Sequence, residues 1–387
     1  MARQKKEEEP KAGKMSIKNL RDIIDKKAKY KISYDLTQEN PTEVKEWIST
    51  GSRWLDSIIA KGQLAGIPVG KIVELAGIEA SGKSYLAAQI IKNAQAKGID
   101  AVLFDSESAY DPEFLQKVGV DVSSLLYIQA ESVEFVLESI ETLLANNENK
   151  MLFVWDSFAN TQSKADIEDE EFNPGSSMAR IPRIMTLGMK KLTIPLANHQ
   201  STLLVVNQLK TKIGDPMMMK FDPWFTPGGK ALDYAYSLRI WLTARKAKDS
   251  YLTNGAGFRV GTELKAKLKK SRFGSEGREC SFKITWGEDP VGIRDEESWL
   301  EAISSSPRYE GGAWKTLKLN DGSIAKFQES SWLDKLKEPK FREAVLTIME
   351  EEVIQKFARK EGDAKTFYNL DKVEEPKESE QDDEIDS

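Results

Sequence analysis

The stretch KIVELAGIEASGKSYLAAQIIKNAQA, residues 71–96, decides the fold. Its apolar run KIVELA (71–76) reads as a buried strand, and the residues from Lys83 to Ala96 read as a helix. Between them stands Gly77-Ile78-Glu79-Ala80-Ser81-Gly82-Lys83-Ser84, a complete G-x-x-x-x-G-K-[ST] pattern. A strand before it and a helix after it give this pattern the context of a phosphate loop. Glycines let the chain curl so that successive N–H groups face a phosphate chain at a helix N-terminus. Lys83 would then hold the β- and γ-phosphates of ATP, and the Ser84 hydroxyl would hold Mg²⁺.

Downstream, four more short apolar runs end in polar residues: DAVLFD (100–105), MLFVWD (151–156), TLLVVN (202–207) and YSLRIWL (236–242). Helical patterns at Pro112–Val118, Val133–Leu144 and Met178–Leu196 separate them. Buried strands alternating with helices predict an α/β core around a mostly parallel central sheet covered on both faces. Asp156, closing a buried strand, is the expected metal-side acid, and Glu107, two residues past another strand end, is placed to orient an attacking water. The stretches 160–177 and 214–229 are longer than ordinary connections, which marks them as functional loops or disordered segments.

Flanking segments differ from this core. Residues 1–14 read as a charged, disordered arm, and Ile17, Leu20, Ile23 and Ile24 give residues 15–29 one apolar helical face. That face either folds back on the core or docks on a partner. The expected division is an N-terminal arm and oligomerisation helix at 1–45, a core at 46–294, a small C-terminal domain at 295–370 and a disordered acidic tail at 371–387.

With 387 residues, 40% hydrophobic and 30% charged, the chain reads as soluble and folded. The apolar runs are too short for a spanning helix and the start lacks a secretory pattern, so the expected location is cytoplasmic. A single cysteine, Cys280, excludes an internal disulfide, and a single histidine, His199, argues against Cys/His metal sites and a Ser-His-Asp triad. The net charge of −6 hides an uneven distribution. Residues 371–387 carry −7, whereas residues 1–30 carry +5 and residues 244–272 carry +7. Basic patches therefore survive for nucleic acid, and the tail is expected to compete with DNA for them.

Taken together, STGSRWLD (49–56), GIPVGKIVELAGIEASGKS (66–84), FDSESAYDPEFLQKVGVD (104–121), VVNQLKTKIG (205–214) and TPGGKALDYAYSLRI (226–240) resemble the RecA family of strand-exchange recombinases. The resemblance covers about 49–294. It implies a RecA-like ATPase with Glu107 as catalytic glutamate and Gln208 as γ-phosphate sensor at one end of the second DNA-binding loop. The implied nucleotide contacts are Gly77, Glu79, Ala80, Ser81, Gly82, Lys83, Ser84 and Tyr85, with Asp111 and Phe114 on the adenosine and Trp286 over the adenine. Lys270 and Arg272 match cations that reach the nucleotide of an adjacent protomer.

For DNA, the first loop offers Met178, Arg180 and Arg183, and the second offers Lys210, Lys212 and Lys230 around Gly228 and Gly229. Cations along phosphates with apolar groups at the bases suit single strands of any sequence. The segment ELKAKLKKSR (263–272) reads as a solvated strand face; by resemblance, Lys265 and Lys267 with Arg245 and Lys246 form a second DNA site. Two departures stand out. Ser108 replaces the family's usual histidine or phenylalanine, and the second loop carries Met217, Met218, Met219, Phe221, Trp224 and Phe225. That cluster either wedges between bases or packs against the fold. Divergence from bacterial members and the acidic tail suggest a phage-type member similar to UvsX.

The implied activity is DNA-dependent ATP hydrolysis coupled to homologous pairing and strand exchange in recombination and repair. The implied partners are single-stranded DNA, homologous duplex DNA, further copies of the chain in a helical filament, and single-strand-binding and loader proteins. A ring helicase on the same core and a non-hydrolysing accessory subunit are the rival readings; the TPGGK segment weighs against the first and the joint presence of Lys83, Glu107, Asp156 and Gln208 against the second.

Overall fold

The computed structural model describes residues 15–28, 31–168, 180–212, 223–244, 250–287 and 291–357. Helices α1 (Ile17–Lys27) and α2 (Arg53–Ile59) precede the first core strand, β1 (Ile72–Gly77). There follow α3 (Lys83–Gln95), β2 (Asp100–Asp105), α4 (Pro112–Val118), β3 (Leu125–Gln129), α5 (Val133–Asn146) and β4 (Met151–Asp156). The chain continues through α6 (Arg180–His199), β5 (Thr202–Gln208), α7 (Lys230–Ala235) and β6 (Leu238–Ala244). It ends this sheet with β7 (Tyr251–Thr253), β8 (Arg259–Ser271), β9 (Glu279–Thr285) and β10 (Gly292–Arg294).

These ten strands form one sheet in the order β10-β9-β8-β6-β1-β5-β4-β2-β3, with β7 on β8. The run from β6 to β3 is parallel. The other pairings, β6 with β8, β7 with β8, β8 with β9 and β9 with β10, are antiparallel. Successive side chains point to opposite faces and both faces are covered, so the central strands carry apolar residues on both sides rather than on one. Val73, Leu75, Leu152, Val154, Leu204 and Val206 point to one face, where Leu86, Ile90 and Ile91 of α3 cover them. Ile72, Phe153, Trp155, Leu203 and Val205 point to the other, beneath α5 and Met185, Met189 and Leu192 of α6.

The expected α/β core is therefore present, and strands β2 and β4 and helix α4 keep their expected ends. The antiparallel half was not anticipated beyond 263–272. In β8, Leu264, Ala266 and Leu268 are buried while Lys265 is half-buried and Lys267 exposed, the alternation of a strand with one wet face. Strand β3 was missed because it lies at the sheet edge, where Leu126, Tyr127 and Gln129 are exposed and leave no continuous apolar run.

Helix α1, capped by Ser16 Oγ accepting from Asn19 N, buries none of its side chains; Ile17, Leu20, Ile23 and Ile24 are exposed. C-terminal to the sheet, Trp299, Leu317, Phe327, Trp332, Phe341 and Val345 form a separate apolar cluster. No described helix is long and apolar enough to cross a membrane.

Candidate functional site at the carboxyl ends of the parallel strands

Strand register brings four sequence-distant residues to one end of the sheet. Gly77 of β1 lies beside Gln208 of β5, and Asp105 of β2 beside Asp156 of β4. Carboxyl ends of parallel strands are where open α/β sheets bind ligands, because the helices that follow point their N-termini there.

Two glycines shape the loop between β1 and α3. Gly82, the N-cap of α3, has φ +75, and a Cβ there would press within 2.9 Å of a Leu264 methyl and 3.0 Å of an Ile284 methyl. At Gly77 a Cβ would collide with Ser81 Oγ. Lys83 Nζ donates to the Ile78 carbonyl at 3.0 Å, folding the side chain back over the loop. Burial lowers the Lys83 pKa, while Asp156, Glu107 and Glu79 pull it up. The cation is thus poorly hydrated and faces carboxylates, a setting in which a polyphosphate is a strong competitor for it.

Ser84 Oγ donates to Asp156 Oδ2 at 2.9 Å, and the Tyr110 hydroxyl donates to the same oxygen at 2.6 Å. Burial raises the Asp156 pKa against these two hydrogen bonds. Glu107 lies on the turn after β2, which Asp105 shapes by accepting from the N–H groups of Glu107, Ala109 and Tyr110. Glu107 Oε1 accepts from Ser157 Oγ and Asn160 Nδ2, each at 2.5 Å, so only Oε2 remains for another partner. The Asp156–Ser157 peptide between these groups is cis.

A cleft of about 360 Å³ opens here, with Ala80 to Tyr85 on one wall and Arg259 and Trp286 on the other. Tyr85 packs edge-on against Phe114 at 4.7 Å and tilts toward Trp286 at 6.2 Å. Asp111 caps α4 by accepting from Phe114 N, which fixes both residues beside that aromatic wall. The fit to a nucleotide has a direct indicator: Ser81 Oγ is buried with no hydrogen-bond partner. Among the described residues no three His, Cys, Asp or Glu side chains cluster tightly enough to hold a metal. One hydroxyl and one carboxylate suit Mg²⁺, which keeps waters and takes phosphate oxygens.

Gln208 opens the second loop. Its N–H donates to Asn207 Oδ1 at 2.9 Å, and the next N–H, of Leu209, donates to the Gly77 carbonyl at 2.9 Å. Lys210–Thr211 then pairs antiparallel with Trp224–Phe225, so the loop leaves and returns as a narrow ribbon rooted beside Gly77.

A model of the RecA N-terminal domain matches residues 15–291. The chain belongs to the RecA family. It is similar to the protein RecA of Ruminococcus albus, 33% identical over 271 residues, which are 70% of this chain and 64% of that relative. It is also similar to the protein RecA of Rubrobacter xylanophilus, 34% identical over 268 residues, 69% of this chain and 73% of that relative.

Within this RecA-family chain, the remaining expected contacts lie apart from the cleft. Lys270 and Arg272 sit at the other end of β8: Lys270 pairs with Arg239, whose parallel neighbour is Glu74, whereas Gly77 is level with Leu242. The Lys270 amine donates to the Asp233 and Tyr234 carbonyls, and Arg272 donates to the Tyr234 carbonyl at 2.7 Å. Neither hydrogen-bonds to the 77–84 segment of its own chain.

Arg180, expected on DNA, forms an ion pair with Asp166 at 3.0 Å, whereas Arg183 is exposed. Lys210, Gly229 and Lys230 are exposed, with Gly228 and Gly229 at φ +110 and +81. The Lys212 backbone N–H closes the ribbon on the Pro223 carbonyl. Lys265 pairs with Glu279 at 2.8 Å, and Lys267 is exposed. Trp224, partly buried, packs against Ala76, Leu209 and Trp241, whereas Phe225 is exposed. Met178, Arg245, Lys246, Met217, Met218, Met219 and Phe221 lie outside the described residues, as do 1–14 and 358–387.

Sequence reasoning missed Arg259, whose guanidinium lies 3.9 Å over the Tyr251 ring and 5.1 Å from the Trp286 ring. Only the β8–β9 pairing brings Arg259 and Trp286 together, and no local pattern announces it. The Asp156 partner Tyr110 and the Glu107 partners Ser157 and Asn160 were missed for the same reason.

Proposed function

We propose that the chain is an ATP-dependent DNA recombinase that polymerises on single-stranded DNA and catalyses homologous pairing and strand exchange in recombination, repair and recombination-dependent replication. The observation that carries this reading is the meeting of Lys83, Ser84, Asp156, Glu107 and Gln208 at one sheet end, with Gln208 also the first residue of a basic loop. A nucleotide chemistry and a DNA-facing segment thereby share one strand.

In this reading Lys83 leaves the Ile78 carbonyl for the β- and γ-phosphates, and Gly77 to Tyr85 supply the rest of the cradle. Asp111, Phe114 and Trp286 enclose the nucleoside, and Arg259 adds a cation at the mouth. Ser84 and Asp156 hold Mg²⁺, which neutralises charge on the phosphates when bound. Glu107 receives the proton of the attacking water at Oε2, because Ser157 and Asn160 occupy Oε1. Lys270 and Arg272, remote from their own cleft, serve the neighbouring protomer's nucleotide; such a cation in trans contributes roughly 10³- to 10⁵-fold to phosphoryl transfer. Hydrolysis then requires assembly.

Single-stranded DNA would lie along Met178, Arg180, Arg183, Lys210, Lys212, Gly228, Gly229 and Lys230, and the duplex along Arg245, Lys246, Lys265 and Lys267. Exchange of one strand for an identical one leaves base pairing nearly unchanged, so protein binding must drive it. Loss of the γ-phosphate contact at Gln208 weakens the DNA-bound state and permits release. The exposed apolar face of α1 supports docking on an adjacent copy, the 1–45, 46–294, 295–370 and 371–387 division follows from these roles, and single-strand-binding and loader proteins complete the partners. We read the chain as a phage-type member acting in the host cytoplasm, on the strength of Ser108, the Met-rich loop and the acidic tail.

Electron microscopy of the protein with single-stranded DNA and a non-hydrolysable ATP analogue tests this reading. An open helical filament is expected; closed rings would favour a helicase, and absence of any assembly would overturn the recombinase. A chain lacking residues 1–30 that assembles as well as the full chain would remove α1 from the interface.

A further inference from the structure

We infer that Glu74 is the positioning residue that makes the sensor strand and the base of the second loop move as one unit. The inference rests on the recombinase reading and adds to it a residue that touches neither nucleotide nor DNA.

Glu74 lies three residues before Gly77 on β1, and its side chain is completely buried. A carboxylate without water is costly unless charged and hydrogen-bonding partners surround it. Its partners come from both neighbouring strands. Arg239 Nε of β6 donates to Oε2 at 2.6 Å, Trp241 Nε1 of β6 donates to the same oxygen at 3.3 Å, and Asn207 Nδ2 of β5 donates to Oε1 at 3.2 Å.

Each principal partner then reaches outward. Asn207 Nδ2 also donates to the Pro227 carbonyl at 3.1 Å, and its Oδ1 accepts the Gln208 N–H at 2.9 Å. Arg239 donates from one terminal nitrogen to Thr226 Oγ1 at 2.8 Å and pairs through the other with Asp233 at 2.7 Å. Thr226 and Pro227 follow the returning strand of the loop, and Gln208 precedes its outgoing strand. Asp233 lies in α7, and its carbonyl holds Lys270. One buried carboxylate therefore ties the sensor position, both feet of the loop and the helix that braces the trans cations.

The rigid fork of the guanidinium is what gives this arrangement its geometric content. A buried ion pair adds little net stability over a well-packed apolar replacement, so its distinctive product is a fixed relative position of the groups it bonds. Gln208 cannot shift along β5 without disturbing Asn207, and Asn207 cannot shift without releasing Pro227. Removal of the Glu74 charge should separate the two movements while the phosphate loop itself stays intact.

The test measures single-stranded DNA affinity of the full chain with and without a non-hydrolysable ATP analogue, together with analogue affinity. Lys83→Ala and Gln208→Ala serve as references. Glu74→Gln is expected to keep analogue affinity and nucleotide-free DNA affinity while losing about tenfold of the nucleotide-induced tightening, a typical scale for coupling between sites. Thr226→Ala, which cuts one outer link and leaves the buried pair, is expected to lose part of the tightening in a chain that still folds. Adding Gln208→Ala to Glu74→Gln should produce less than the product of the two separate losses. Tightening retained in both Glu74→Gln and Thr226→Ala would overturn the proposal alone. A wild-type chain with no nucleotide-induced tightening would overturn both it and the recombinase reading.

Discussion

Asp156 and Asp56 are both aspartates only 4% exposed, and burial pushes both carboxyls upward, Asp56 to about 7. Both accept from hydroxyls: Asp156 from Ser84 and Tyr110, and Asp56 from Ser49 Oγ at 2.6 Å and Thr50 Oγ1 at 2.7 Å. Their surroundings separate them. Asp156 lies within electrostatic reach of Lys83, which lines a cleft, and one of its hydroxyl partners, Ser84, lines the same cleft from the first turn of α3. Asp56, in the first turn of α2, is sealed against the preceding segment by the Ser49 and Thr50 hydroxyls and the Thr50 N–H, with Asp295 as a like-charged influence. Desolvation alone does not mark chemistry; the groups facing the carboxylate do.

The largest expected effects break or confirm that distinction directly. Lys83→Ala and Asp156→Asn should each lower ATP turnover by about 10³-fold, the cost of removing one preorganised charge contact. Asp56→Asn should leave turnover near wild type. Steady-state hydrolysis with saturating single-stranded DNA checks this, and an equal loss in Asp56→Asn would erase the contrast between the two pockets.

A second effect sharpens the chemical side. Glu107→Gln should reduce turnover by about 10²-fold while analogue binding persists, as expected for loss of a group that acts on the water rather than on the phosphates. Ser157→Ala, which frees Glu107 Oε1 from one donor, should give a smaller loss in the same direction. Single-turnover hydrolysis alongside analogue binding separates the two steps; a matching loss of binding in Glu107→Gln would make Glu107 part of the cradle.

What was legible in the sequence follows the same physical line. The segment 77–84 is contiguous, its strand and helix are local, and Asp156 ends an apolar run, so the elements that carry these residues were readable from the sequence. Glu74 was hidden inside KIVELA, where its charge looks like an interruption of a strand; its partner Arg239 is 165 residues away. Arg259 and Trp286 meet only through a hairpin register. Trp224 was undecided because composition cannot distinguish a side chain reserved for a base from one that packs on Leu209 and Trp241. Local periodicity reveals elements, whereas the partners that tune a site arise from pairing between distant strands.

The smallest effect concerns stability rather than turnover and isolates the sealed pocket. Asp56 holds its proton in the folded chain up to about pH 7, whereas an unfolded aspartate releases it near its ordinary value of 3.8. The unfolded state therefore binds fewer protons between these values, and stability falls as pH rises through the interval. A side-chain amide does not titrate in this range, so Asp56→Asn should show a flatter profile. Between pH 5 and 8 the wild-type chain should lose roughly 2–3 kcal/mol more than Asp56→Asn, from about 1.4 kcal/mol for each pH unit over which only the folded state holds the proton. Asp295, raised to about 6 by burial, titrates in both proteins and largely cancels in the difference. Urea unfolding at a series of pH values measures this; parallel profiles would mean that Asp56 is ionised in the folded chain and that two hydroxyls and one backbone N–H can hold a buried charge, which would remove the physical basis for treating the two pockets differently.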